Sequence, residues 1–141
     1  MSIEEKDRPF SILKYEADKN YSREVVKIAK GQNLKMGTVV GMIAKDETYK
    51  IVALTKEKTV DDNTTTIVQA DDSALDGSEI AVGIVLQDVD ATDAATEGLI
   101  VARDAIVIED KVIYPNDAMA DQKKKILKDL ENRGIVVRKG A

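Results

Sequence analysis

The chain has 141 residues, with 21 basic and 26 acidic side chains, a formal net charge of −5, no Cys and no His. That excludes disulfides, thiolate metal sites and cysteine nucleophiles, and it removes the side chain most used as general base and metal ligand. A negative net charge also argues against nucleic acid as a partner, since phosphate contacts need clustered Lys and Arg.

One Phe and four Tyr leave the core to Val, Ile, Leu and Ala. A chain this long buries roughly two thirds of its unfolded surface, enough for one core without staples. No apolar run reaches the ~18 residues of a bilayer span. Met1 to Arg8 is polar and charged and lacks the apolar centre of a secretory signal.

Residues 1–22 read as an N-terminal arm and 23–141 as the folded domain. The arm has mixed polarity, a proline at Pro9 and no clean period, with Phe10, Ile12, Leu13 and Tyr15 apolar enough to hold to a surface. It is either a disordered terminus or a segment that orders on a partner by adding a strand to an open sheet edge. Val25 to Ala29 is β-branched and ends at the turn signal Lys30-Gly31-Gln32-Asn33. Gly37 to Ala44 and Tyr49 to Leu54, separated by Lys45 to Thr48, predict a hairpin. Thr55 to Glu79 is polar, with a strand only at Thr66 to Ala70 and a turn at Asp76-Gly77.

Ile80 to Leu86 is nearly continuous aliphatic and predicts a strand buried on both faces. Asp88 to Gly98 is small and acidic and reads as a loop. Leu99 to Arg103, Ala105 to Ile108 and Val112 to Tyr114 predict further strands, the last stopped by Pro115. Ala118 to Arg133 predicts the long helix, capped by Asn116 or Asp117, with Met119, Ile126, Leu127 and Leu130 on one stripe. Gly134 stands where a left-handed residue ends a helix, and Ile135 to Val137 returns as a strand. The expected class is mainly β with one long C-terminal helix, an α+β arrangement.

Charge is unevenly spread. Between Lys58 and Arg103 no basic residue occurs, whereas Lys123, Lys124, Lys125, Lys128, Arg133, Arg138 and Lys139 crowd the C-terminal end. Such charge serves solubility on any surface, or forms complementary faces that meet between subunits.

Candidate chemistry is sparse. Asp88, Asp90 and Asp93 have the oxygen-rich spacing of a Ca²⁺ loop, but the turn glycine and final bidentate Glu of an EF-hand are missing. Turn carboxylates bonding their own backbone are the better account. The pairs Asp61/Asp62 and Asp71/Asp72 sit in polar stretches where nothing would raise a carboxyl pKa for acid–base work. Gly31, Gly37 and Gly41 fit neither Gly-x-Gly-x-x-Gly nor a P-loop. The lysines of Gln122 to Lys128 read as a solvated helix face. No catalytic residue, cofactor or metal site is predicted.

Order and spacing say more. Tyr21 to Gly31 leads into Leu34 to Gly41; then come Gly77 to Leu86, Leu99 to Ala105, Leu127 to Leu130 and Gly134 to Arg138. In this order the segments resemble the bacteriophage head decoration proteins, the family of the lambda head protein D. The resemblance implies β-clip-like bent ribbons forming an incomplete barrel, with a helix packed on it. It also implies a homotrimer on the outer surface of an expanded phage head, made in the bacterial cytoplasm, with the major capsid protein as partner and neither nucleic acid nor membrane involved. By that analogy Arg8, Pro9, Phe10, Ile12, Leu13 and Tyr15 touch the shell. The alternative is a small soluble oligomeric β-rich module that binds a ligand or carbohydrate, which predicts a concave pocket with convergent polar groups.

Overall fold

The computed structural model describes residues 11–139. Its strands are β1 (Leu13–Glu16), β2 (Arg23–Ile28), β3 (Gln32–Leu34), β4 (Val39–Ile43), β5 (Thr48–Ile51), β6 (Thr55–Asp61), β7 (Thr64–Gln69), β8 (Ala81–Val85), β9 (Val89–Ala91), β10 (Thr96–Val101), β11 (Ala105–Ile108) and β12 (Ile135–Arg138). The helices are α1 (Lys19–Ser22), a single turn, and α2 (Ala120–Glu131). The expected class holds: mainly β with one long helix near the C-terminus.

Five strands follow one another in a ring, β10-β2-β5-β4-β8, and β8 meets β10 again. Closure is thin. β2 touches β5 through one parallel pair, Ile28↔Tyr49, and β10 touches β8 through Ile100↔Val85 and Val101↔Ile84. The ring is therefore an incomplete barrel. Gly41 makes one corner possible, because a Cβ there would lie 2.2 Å from the Ser78 carbonyl oxygen.

Aliphatic side chains cover both faces of these strands, since neighbours such as Val39 and Val40, or Ile84 and Val85, fall in different clusters. Ile28, Leu34, Val40, Val85, Val89 and Ile100 form one cluster. Val39, Val52, Ile84, Leu86, Val107, Ile126, Leu130 and Ile135 belong to the other, which α2 covers. Beside it lies a three-stranded sheet, β1-β11-β12, with β11 in the middle.

Several elements depart from the sequence reading. The arm does not stand apart up to residue 22: β1 pairs antiparallel with β11, through Leu13↔Val107, Tyr15↔Ile106 and Glu16↔Ala105. Ile12 is fully buried. A register shift between Leu13 and Tyr15 breaks the alternation that would have marked this strand. Val112 to Tyr114 is not a strand; a 3₁₀ turn at Glu109–Lys111 leads to a lone bridge, Thr38↔Ile113.

The helix starts later than expected, with Met119 as N-cap and Gln122 Oε1 accepting from the Met119 N–H at 2.8 Å. Neither Asn116 nor Asp117 caps it, because a turn precedes the helix, in which the Ala118 N–H donates to the Pro115 carbonyl. Gly134 has φ +79°, the left-handed residue the sequence called for.

Candidate functional site

The carboxylates singled out in the sequence serve their own turns. Asp90 accepts from the Thr92 N–H at 2.9 Å and from its hydroxyl. Those two bonds, the hydroxyl first, hold its carboxyl below the ordinary value of 3.8. Asp88 accepts from the Met36 N–H at 2.8 Å, joining distant parts of the chain. Asp61 accepts from Asn63 and Asp71 from Ser73, and both are likewise lowered. A lowered carboxyl pKa is the opposite of what a general acid needs. Among the described residues no cluster of three or more Asp and Glu is placed to hold a metal, and no helix is long and apolar enough to cross a membrane.

The features that stand out are surfaces. The first is the outward face of the three-stranded sheet. Tyr15 on β1 faces Ile106 on β11, which faces Val136 on β12. This apolar row lines an open groove of about 360 Å³ with Ala17, Asp104 and Gly134. Tyr15 is 59% exposed. Among the described residues β1 is an edge strand, with β11 as its one neighbour in the sheet, the arrangement that accepts an added strand.

The edge is held firmly. Glu16 accepts from the Ser22 hydroxyl at 2.8 Å and from the Arg23 guanidinium. The Arg103 guanidinium donates to the Tyr21 carbonyl, stands 5.2 Å over the Tyr21 ring and pairs with Glu24 at 3.1 Å. These contacts tie α1 and β2 to the end of β10, so β1 is presented on a rigid body.

The structure divides the six expected contact residues. Arg8, Pro9 and Phe10 lie outside the described residues. Ile12 is buried in the core, and Leu13 packs against that same cluster. Tyr15 alone among the described three reaches the surface freely. Ile106 and Val136 were missed; the alternation in Ala105 to Ile108 and Ile135 to Val137 requires one of each neighbouring pair to face outward.

The second surface lies where β6–β7 meets the start of α2. Ile67 and Met119, 49% and 68% exposed, line an open groove of about 450 Å³ with Lys56, Glu57, Asp121 and Gln122.

A family model described as bacteriophage lambda head decoration protein D matches residues 2–135. Among curated proteins no match was found.

Proposed function

The chain belongs to the bacteriophage lambda head decoration protein D family, a structural family of phage capsids, and from that premise we propose that it works as a cement trimer. It binds the outer surface of an expanded head at threefold and quasi-threefold sites and stabilises the shell against the pressure of packaged DNA. Residues 1–10 and the apolar row of Tyr15, Ile106 and Val136 are the part that meets the major capsid protein. Arg8, Pro9 and Phe10 supply contacts from the arm, and Leu13 backs the β1 edge from inside.

One observation carries this reading: among the described residues the first strand is an open sheet edge with an apolar outer row. Main-chain hydrogen bonds along such an edge give affinity, and neighbouring side chains give specificity. The shell is weakest where capsomers meet. A rigid trimer placed there makes the same contact three times, and three weak arms on one body act together through effective concentration.

The test uses two variants that spare the core. Deleting residues 2–10, or changing Tyr15→Asp, should leave the melting temperature within a few degrees and abolish co-sedimentation with expanded heads. The deletion stops at residue 10 because a longer one would take Ile12 out of the core. Full binding by both variants would overturn the assignment of the shell-facing surface.

A further inference from the structure

Resting on the trimer reading above, we propose that the seam between copies runs through the β6–β7 hairpin and the outer face of α2. In this arrangement the acidic hairpin tip of one copy lies against the lysines of the helix in the next.

The hairpin forms a two-stranded sheet of its own, from Thr55↔Gln69 to Asp61↔Thr64. Such a ribbon is marginal by itself in water. Its tie to the body lies at its base, where Gln122 Nε2 donates to the Thr55 carbonyl at 2.9 Å; beside it the Ala70 N–H donates to the Leu54 carbonyl at 2.8 Å and closes the neck of the ribbon. Thr64 to Ile67 are all exposed. At about 3.3 Å per residue the ribbon reaches roughly 20 Å, enough to lap onto a neighbour. Ile67 and Met119 give this side of the molecule two large apolar groups left exposed among the described residues.

Charge decides what covers them. The tip carries Asp61 and Asp62, in the stretch without a basic residue. On α2, Lys125 pairs with Asp129 and Lys123 stands over the Tyr114 ring. Lys124 and Lys128, one helical turn apart, make no ion pair among the described residues. The acidic tip and its basic counterpart therefore belong to the same chain, which makes a second copy the matching occupant. A contact between two different patches of identical chains is heterologous, and such contacts close into a ring when the rotation permits. Ile67 and Met119 become the buried part of the seam, and the charges set its register.

Sedimentation equilibrium tests the seam on the full chain. The pair Ile67→Asp and Met119→Asp should raise the concentration for half-association at least about tenfold, since apolar anchors dominate interface energies. Because both side chains are exposed in the free chain, circular dichroism should show an unchanged fold. Reversing the tip, Asp61→Lys with Asp62→Lys, should weaken association, and adding Lys124→Glu with Lys128→Glu should restore it. A wild-type chain that trimerises, with every variant as tight as wild type, would overturn the seam and leave the trimer standing. A wild-type chain that stays monomeric would remove both.

Discussion

Two successive hairpins in this chain share their turn chemistry and differ in everything else. In β4–β5, Asp46 accepts from the Thr48 N–H and hydroxyl at the turn; in β6–β7, Asp61 accepts from the Asn63 N–H. Yet Val39, Val40 and Gly41 are buried, whereas Thr64 to Ile67 are exposed. The first hairpin gains β8 along its other edge and core side chains against its face. Among the described residues the second gains neither. Turn residues thus suffice to reverse the chain, and only burial makes the resulting ribbon part of the core.

The largest break of that contrast is expected at the corner of the first hairpin. Gly41→Val would drive side-chain atoms into the Ser78 and Ile80 carbonyls and should cost about 3 kcal/mol or more, read as a lower urea midpoint. The matching change in the second hairpin, Thr65→Ala, should fall within about 0.5 kcal/mol. Equal losses at the two sites would show that the hairpin is as much a part of the core as the ring.

The smallest effect concerns acid. The Asp46 carboxyl is held below 3.8 chiefly by the Thr48 hydroxyl, then by its N–H; Asp61 is held down chiefly by the Asn63 N–H. A carboxyl whose folded pKa is depressed contributes stability above its unfolded pKa and loses it as pH falls through the folded one. Stability should therefore decline below about pH 3.8. Asp46→Asn, whose side-chain oxygen still accepts from Thr48, should flatten that decline, measured as melting temperature between pH 5 and pH 2.5. An unchanged acid slope would remove Asp46 from the account.

How much was legible follows the same division. The ring strands and β11 could be read because β-branched aliphatics run through them, and α2 because Ile126, Leu127 and Leu130 share a stripe. β6 escaped because Thr55 to Asp61 has the composition of a loop, and its pairing depends on a partner strand rather than on a hydrophobic face. β9 was hidden among acids, although Val89 and Ala91 point into the core. The helix cap was misplaced because Met119 supplies no cap oxygen and Gln122 reaches back instead. On the candidate surface, Tyr15 could be found as an apolar residue in an irregular arm. Ile106 and Val136 could not, since strands aliphatic on both faces do not say which face meets solvent.

The central claim is that this protein decorates an expanded phage head. The most direct measurement adds purified protein to expanded and unexpanded heads of its phage that lack it, and counts the copies that co-sediment. The account predicts saturable binding to expanded heads at one trimer per threefold or quasi-threefold site, with heads resisting heat better as sites fill. Heads that bind no protein at saturating concentration, or bind it without limit and gain no stability, would contradict it.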